Sequence, residues 1–236
     1  QMSQTPWNES DAQWMRRAIH LSKRGFPAPN PHVGCVLVRN GKLIGEGWHK
    51  YAGTLHAEAM ALASASGSVN GSTAYVTLEP CNHQGRQPAC SQALIAAGVT
   101  RVVFALADPN PKAAGGAAAM RRAGIQVESG LLENEALAAN EMFMTAMRLQ
   151  RPFVVVKAAM SLDGRIALPS GDSKWITGEA SRRQGHRLRA ACGAVLVGWR
   201  TVVADDPHLT ARIPGVHNPP TRIVIDPDGK IGRAHV

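Results

Sequence analysis

The chain has 236 residues, 44% hydrophobic and 18% charged, a composition typical of a globular protein long enough for two domains. It contains no apolar run near the roughly 18 residues that a membrane span requires, so we expect no membrane-spanning segment. The net charge of +9 favours an anionic partner, such as a phosphorylated metabolite, a nucleotide cofactor or nucleic acid, although a generally basic surface explains it equally well.

The N-terminal segment QMSQTPWNESDAQ lacks the basic start and apolar stretch of a secretory signal, so we expect the chain in the cytoplasm. Four cysteines are present: Cys35, Cys81, Cys90 and Cys192. In a reducing compartment a disulfide between them would be unusual, whereas metal ligation or burial would not.

The first half of the chain alternates predicted helices and strands. ESDAQWMRRAIHLSKRG predicts a helix that begins at Ser10 or Asp11 and ends at Gly25. HVGCVLVRNGKLIGEGW predicts a hairpin that turns at Asn40-Gly41, with Cys35 buried in its first strand. Helices are then predicted by LHAEAMALASAS, SQALIAAG and GGAAAMRRAG, and strands by STAYVTLEP, RVVFALA and IQVES. This alternation favours a mainly parallel sheet covered by helices.

A domain boundary is predicted where the helix of ENEALAANEMFMTAMRLQ ends near Arg151-Pro152, giving domains at 1–148 and 152–236. The basic excess is larger in the second domain than in the first. Strands are predicted there by FVVVKAAM, GAVLVGW and RIVID, and a helix by EASRRQGHRLRAAC. Because so few strand–helix units make a thin core, we expect this domain to be unfinished.

Two short motifs have the composition of a catalytic zinc site. HAE begins at His56 and PC ends at Cys81, which matches the core of the zinc-deaminase signature His-x-Glu followed by Pro-Cys-x-x-Cys. His56, Cys81 and Cys90 would be three ligands that leave a fourth position for water, and Glu58 would be the general acid and base. The alternative is an exposed histidine–glutamate pair and two buried, inert cysteines. The motif also departs from the signature, because eight residues separate the cysteines instead of two.

This long spacing, together with PNPHVGCVLV, GEGWHKYAGTLHAE, AYVTLEPCNHQGRQPAC and ADPNP, resembles the pyrimidine deaminase of riboflavin biosynthesis. KAAMSLDGRIA, SGDSKWITG and VVADDPHLTAR are similar to the reductase half of the same bifunctional family. The resemblance covers nearly the whole chain. It implies a cytidine-deaminase-like three-layer α/β/α domain followed by an apparently truncated dihydrofolate-reductase-like α/β domain.

The resemblance also implies two reactions. The first domain would catalyse zinc-dependent hydrolytic deamination of a 2,5-diamino-6-ribosylaminopyrimidinone 5′-phosphate. The second would use NADPH to reduce the ribosyl group to a ribityl chain, although its activity is doubtful in the chain as it stands. The expected partners are therefore a phosphorylated pyrimidine and NADPH, with no nucleic acid.

Several residues fall on the family's functional positions. In the first domain the expected substrate contacts are Asn30, His49, His83 and Arg86, with Arg86 facing the phosphate. In the second domain Asp205 is the expected catalytic group, Ser173, Arg189 and Arg212 bind substrate, and Lys157, Trp175 and Thr177 bind the cofactor. Three of them also have a structural explanation: an Asn between prolines shapes turns, a His at a strand end caps it, and an Asp in ADDPH caps a loop.

Two other functions remain open from the residues alone. A transfer-RNA deaminase also uses His-x-Glu and Pro-Cys and suits the basic charge, but it has short cysteine spacing, and this chain has few aromatic residues for stacking bases. A structural zinc module would have four protein ligands, with His83 as the fourth. Homo-oligomerisation, as a dimer or tetramer, is a further expectation, because an unfinished domain would expose apolar strands.

Overall fold

The computed structural model describes residues 7–83 and 88–232, within two compact units, Gln1–Phe153 and Val154–Val236. Both units combine helices with a sheet, so the predicted α/β fold class is confirmed. Among the helices of the described residues, none combines the length and hydropathy of a membrane-spanning segment.

The first unit is built around a five-stranded sheet in the order β2-β1-β3-β4-β5. Its strands are β1 (Gly34–Arg39), β2 (Lys42–Trp48), β3 (Thr73–Leu78), β4 (Arg101–Leu106) and β5 (Gln126–Ser129). Strands β3 to β5 are parallel, but β1 is antiparallel to both of its neighbours. The predicted parallel pairing is therefore right for β3 to β5. The β1-β2 pair is antiparallel, as the predicted hairpin requires, since a two-residue turn can join only antiparallel strands.

The hairpin turns where the sequence predicts. Asn40 and Gly41 have φ values of 51° and 69°, the left-handed conformation that a type I′ turn requires at both central residues. Asn and Gly adopt this conformation at the lowest cost, which is why a local sequence signal succeeds here.

Helices cover both faces of the sheet. They are α1 (Glu9–Ser22), α2 (Ala57–Ala63), α3 (Cys90–Ala96), α4 (Gly116–Arg122) and α5 (Glu133–Leu149). Val36 and Val38 of β1 are buried with residues of α1 and α5, whereas Cys35 and Leu37 are buried with residues of α2, α3 and α4. This alternation along β1 separates two apolar cores and confirms the three-layer α/β/α arrangement. Cys35 is fully buried, as predicted.

The N-cap of helix α1 lies two residues before Ser10, the nearer of the two predicted caps. Asn8 is the N-cap, and its side chain accepts a hydrogen bond from the Asp11 N–H, while Asp11 accepts one from the Asn8 N–H. This reciprocal capping box satisfies two backbone donors at once, whereas Ser10 lies within the first turn. The helix also ends at Ser22, with Lys23 as its C-cap, and not at Gly25. Gly25 has another role, because a Cβ there would lie 2.1 Å from the His49 carbonyl oxygen.

A buried charge network lies where the parallel strands begin. Asp11 accepts hydrogen bonds from the Tyr75 hydroxyl at 2.6 Å and from Arg101 at 2.7 Å, and Arg101 also pairs with Glu128 at 2.6 Å. Burial favours the neutral carboxyl, but the hydrogen bonds from Arg101 and Tyr75 outweigh it and lower the pKa of Asp11. The network joins α1 to three strands at the end of the sheet where β3 and β4 begin.

The second unit contains α6 (Glu179–Cys192), β6 (Ala194–Gly198), α7 (Trp199–Asp205) and β7 (Thr221–Ile225). Strands β6 and β7 lie where the sequence predicts and pair in parallel as a two-stranded sheet. The sequence reasoning missed α7, a short helix after Gly198. Its core is small: Ala190, Leu209 and Pro220 are the buried residues within 154–232.

The predicted strand FVVVKAAM is wrong. Residues 153–160 have no regular structure, and Val154 and Val156 are 74% and 90% exposed. A β-branched run fits a strand only when a neighbouring strand supplies hydrogen bonds and a packing surface. Within the described residues, the sheet of this unit contains β6 and β7 alone.

Candidate metal centre and active site

The three predicted metal ligands come from two neighbouring strand–helix connections. His56 is the N-cap residue of α2, Cys81 follows the end of β3 after Glu79 and Pro80, and Cys90 is the first residue of α3. The structure therefore brings together one helix start, one strand end and a second helix start.

The distances between the donor atoms fit a zinc ion. The His56 Nδ1 atom lies 3.7 Å from the Cys81 Sγ and 3.3 Å from the Cys90 Sγ, and all three ligand atoms lie within 4.8 Å of one another. A tetrahedral zinc about 2.3 Å from sulfur and about 2.0 Å from nitrogen separates those two ligand atoms by roughly 3.5 Å. Among the described residues the group has three members, and His83 does not belong to it.

Hydrogen bonds within the group favour one ionised thiol. Hydrogen bonding from Cys90 and His56 lowers the pKa of Cys81 to about 4, and the Cys90 N–H also points at the Cys81 sulfur, 3.5 Å away. The hydrogen bond to Cys81, with burial, raises the pKa of Cys90, and the hydrogen bond to Cys81 raises the pKa of His56. These hydrogen bonds therefore favour the thiolate of Cys81, the form of cysteine that binds metals.

Glu58 lies beside the group in the first turn of α2. It is 4% exposed, and burial raises its pKa to about 7. A carboxyl group with a pKa close to the working pH can both take up and release a proton, as a general acid and base must. The exposed histidine–glutamate pair of the alternative interpretation is therefore not what the structure contains.

A cavity of about 280 Å³ opens onto His56, Glu58 and Cys81. Its lining includes three of the four substrate contacts expected in this unit, Asn30, His49 and His83, together with Glu58. His83 is exposed at the rim. The fourth predicted contact, Arg86, lies outside the described residues.

The hydrogen bonds of His49 determine which way Asn30 points. The His49 Nδ1 atom lies 3.1 Å from the Leu55 carbonyl oxygen, which can only accept, so the ring proton is on Nδ1. The His49 Nε2 atom must then accept from the Asn30 Nδ2 amide, 3.0 Å away. Burial lowers the pKa of His49 and favours this neutral ring. The Asn30 Oδ1 atom is left as a hydrogen-bond acceptor.

Three further polar residues of the cavity had no predicted role: Glu79, Asp108 and Asn110. Asp108 and Asn110 belong to the ADPNP motif, and the Asp108 carboxylate accepts the Asn110 N–H at 2.8 Å. Burial raises the pKa of Asp108. The sequence signal that could have identified Asp108 and Asn110 is their position just after β4. The carboxyl ends of adjacent parallel strands lie at one edge of the sheet, so residues that follow them lie close together.

The predicted residues of the second unit converge only in part. Arg189 donates to the Thr210 carbonyl oxygen at 3.1 Å, and Arg212 donates to the Thr210 hydroxyl at 3.0 Å. Arg182 lies 4.5 Å above the Trp175 ring and donates to the Thr177 carbonyl oxygen at 2.7 Å. The other three predicted residues, Lys157, Ser173 and Asp205, are exposed, and so are Trp175 and Arg212.

Two family models match the chain. Residues 8–106 match the cytidine and deoxycytidylate deaminase zinc-binding region, and residues 152–235 match the RibD C-terminal domain. The first match contains His56, Cys81 and Cys90, so the donor set and the family agree.

Curated relatives carry the same pair of regions. The riboflavin biosynthesis protein RibD of Aquifex aeolicus is 48% identical over 93% of this chain, and that of Escherichia coli strain K12 is 45% identical over 95%. This chain spans 63% and 65% of the lengths of these relatives, less than two thirds in both cases.

Solved structures agree with this similarity. RibD of Acinetobacter baumannii superposes with a TM-score of 0.85 at 48% identity, covering 92% of this chain and 63% of that one. A diaminohydroxyphosphoribosylaminopyrimidine deaminase/5-amino-6-(5-phosphoribosylamino)uracil reductase of Thermotoga maritima superposes with a TM-score of 0.86 at 43% identity, covering 96% and 66%.

Proposed function

We propose that the chain belongs to the RibD family and that its first unit is a zinc-dependent deaminase of a phosphorylated pyrimidine in riboflavin biosynthesis. The observation that carries the proposal is the group of His56, Cys81 and Cys90 beside the buried Glu58. Three ligands with an adjacent carboxylate are the arrangement of a catalytic zinc site, whereas a structural site has four protein ligands.

The residues of the site divide the chemistry between them. His56, Cys81 and Cys90 would hold the zinc ion, which supplies an acidified water as the nucleophile. Glu58 takes a proton in the cavity and returns it to the departing amine, and its buried position keeps bulk water from competing for that proton. Asn30, held by His49, offers its Oδ1 atom to a donor on the pyrimidine edge.

The size of the cavity supports a substrate of the proposed kind. About 280 Å³ is at the low end of small-molecule pockets, which span about 300–1,000 Å³. This volume suits a pyrimidine ring, with the ribose phosphate extending past the rim where His83 lies. We therefore propose 2,5-diamino-6-ribosylaminopyrimidinone 5′-phosphate as the substrate, with Arg86 as the phosphate contact.

For the second unit we propose part of an NADPH-dependent reductase that acts on the product of the first. The match of residues 152–235 to the RibD C-terminal domain supports this assignment. Arg189 and Arg212, which both hydrogen-bond to Thr210, form a basic cluster suited to an anionic group. Asp205, Ser173, Lys157, Trp175 and Thr177 keep the roles proposed from the resemblance. Self-association and location in the cytoplasm stay predictions.

Replacing Glu58 by Gln tests the deaminase proposal. The amide keeps the shape of the side chain but cannot carry the proton, so we expect kcat to fall by about 10² to 10⁴ while the zinc content is unchanged. Ammonia release from the pyrimidine phosphate and metal analysis are the measurements. Glu46→Gln is the matched control, because Glu46 pairs with Arg17 on the surface.

Three results would contradict the proposal. Full turnover by Glu58→Gln would remove the assigned acid and base and leave a structural zinc site as the better explanation. Turnover of RNA without turnover of the free pyrimidine would support the transfer-RNA deaminase instead. A wild-type chain that binds no zinc would remove the site itself.

A further inference from the structure

The segment that carries Cys81, residues 79–83, rests on the turn that precedes α4, residues 113–117. We call these segments the metal loop and the α4 turn. The Asn82 N–H donates to the Ala113 carbonyl oxygen at 2.9 Å. The Glu79 Oε1 atom accepts from the Gly115 N–H at 3.2 Å and from the Ala117 N–H at 3.0 Å. Residues on both sides of Cys81 therefore bind the same turn.

The middle of this contact requires a glycine. A Cβ at Gly116 would lie 1.7 Å from the Pro80 carbonyl oxygen, closer than any real contact. The first turn of α4 consequently lies directly on the peptide group that joins Pro80 to Cys81. Any other residue at 116 would push the metal loop and the α4 turn apart.

Glu79 supplies the cap that α4 lacks. The first N–H groups of a helix have no partners within the helix, and the N-cap residue here is Gly115, which has no side chain to bind them. The Glu79 Oε1 atom takes that place from another segment of the chain by accepting hydrogen bonds from two N–H groups at the start of α4. Its own backbone is fixed as well, since the Glu79 N–H donates to the Leu106 carbonyl oxygen at 2.8 Å.

The metal loop is also tied to the helix that carries the second cysteine. The Ser91 N–H donates to the Cys81 carbonyl oxygen at 3.1 Å, and the Ser91 hydroxyl donates to the Asn82 Oδ1 atom at 2.9 Å. Ser91 follows Cys90 in α3. Cys81 is thus held from two sides, by the start of α3 and by the α4 turn.

We propose that Glu79 is a positioning residue of the metal centre. By capping α4 it holds the α4 turn against the metal loop and so fixes the Cys81 sulfur at its distance from His56 and Cys90. Glu79 itself is not a member of the ligand group. The inference rests on the proposal that this group binds zinc, and it concerns how tightly and in what geometry the ion is held.

The test compares substitutions at Glu79 in the full chain. Glu79→Ala removes both hydrogen bonds, Glu79→Asp keeps the charge but shortens the reach, and Glu79→Gln keeps an acceptor oxygen in place without the charge. Zinc affinity is measured by competition with a chelator, and ligand geometry by the absorption spectrum of the cobalt-substituted protein. The rate at which a thiol reagent modifies Cys81 in the metal-free protein is a third readout.

Loss of a partner that orients a metal ligand typically weakens metal binding 10- to 100-fold. We expect this loss for Glu79→Ala, together with an altered cobalt spectrum and faster modification of Cys81. Glu79→Gln should stay close to wild type and Glu79→Asp should fall between them. Gly116→Ala should reproduce Glu79→Ala, because it separates the same two segments.

A matched control separates positioning from general stability. Glu128→Ala removes a partner of Arg101, which is the first residue of β4. Glu128 lies in β5, far along the chain from the metal loop. This substitution should lower the melting temperature and leave the zinc affinity and cobalt spectrum unchanged. If it weakens zinc binding as much as Glu79→Ala does, affinity follows stability alone and the inference is wrong.

Other outcomes also decide the question. Wild-type zinc affinity in Glu79→Ala, with only a lower melting temperature, would make the residue a plain helix cap. If Glu79→Asp bound zinc more tightly than Glu79→Gln, the negative charge of Glu79, and not its capping of α4, would explain its effect on the metal centre. If Glu79→Ala does not fold, the test is the order of zinc affinity between Glu79→Asp and Glu79→Gln, together with the zinc affinity of Gly116→Ala. A wild-type chain that binds zinc but releases no ammonia would contradict the proposed function and leave this inference standing.

Discussion

The two units of this chain differ most in how their strands are covered. In the first unit β1, β3 and β4 are buried almost throughout, between helices on both faces. In the second unit every residue of β7 is exposed, and three of the five residues of β6 are exposed. The predicted site residues follow the same division: all the described ones of the first unit except Cys90 line one cavity, while five of the seven in the second are exposed. A layered core places distant residues together, and strand pairing alone does not.

Separating the two units should give the largest difference. We expect a fragment of residues 1–153 to unfold in one cooperative thermal transition, because its two apolar cores are complete within it. A fragment of residues 154–236 should show no cooperative transition, since its described residues bury so few side chains. Calorimetry and circular dichroism of each fragment measure this. A sharp thermal transition in the 154–236 fragment would contradict the proposed difference in packing between the two units.

The buried network of the first unit should respond strongly to a change of charge. Asp11→Asn leaves Arg101 without its buried partner, which should destabilise the first unit by about 3 kcal/mol at neutral pH. Because hydrogen bonding lowers the pKa of Asp11 in the folded state, its contribution is present above the unfolded pKa of about 3.9. It is lost as the pH falls through the lower folded value.

Urea unfolding of wild type and Asp11→Asn at several pH values measures this dependence. The difference in the free energy of unfolding should shrink below about pH 4. The Arg183–Glu179 pair on α6 is the control from the second unit, with side chains 60% and 74% exposed. Arg183→Ala should change stability by no more than about 0.5 kcal/mol. A constant effect of Asp11→Asn across the pH range would contradict the assigned pKa shift.

Two glycines offer a smaller and closely matched comparison. A Cβ at Gly47 in β2 would lie 2.3 Å from the Ala57 carbonyl oxygen at the start of α2, whereas a Cβ at Gly198 in the second unit meets nothing within 4 Å. Gly47→Ala should therefore cost about 1–3 kcal/mol by forcing α2 away from the sheet. Gly198→Ala should stay within about 0.5 kcal/mol of wild type.

Because α2 also carries His56 and Glu58, Gly47→Ala should lower the proposed deaminase activity as well as stability. Denaturation curves and ammonia release, measured on both glycine variants, test this. Equal costs at the two positions would show that the second unit is packed as tightly as the first.

The sequence predicted best where the signal is local. Asn40-Gly41 specifies its turn by itself, and β1 and β3 follow from continuous apolar runs. The start of α1 shows the limit of local rules, because Asn8, Ser10 and Asp11 are all good caps. Only the reciprocal bond between Asn8 and Asp11 decides among them.

Features that depend on distant parts of the chain were missed. The segment 153–160 has the composition of a strand, but a strand needs a neighbour, and sequence composition does not say whether one is present. Asp108 and Glu79 reach the cavity because β3 and β4 lie side by side, which no local pattern reveals. The metal group, by contrast, was predicted from its residue types, although the position of Cys90 departs from the usual spacing.

The positions of the three metal ligands have a thermodynamic consequence. Cys81 and Cys90 lie 25 and 34 residues after His56 along the chain. An ion bound to all three would therefore join segments that separate when the unit unfolds. Ligation and folding would then share one equilibrium. Each tenfold rise in free zinc above its dissociation constant would add about 1.4 kcal/mol to the free energy of unfolding. Melting temperatures of this protein are comparable only between buffers of equal metal activity.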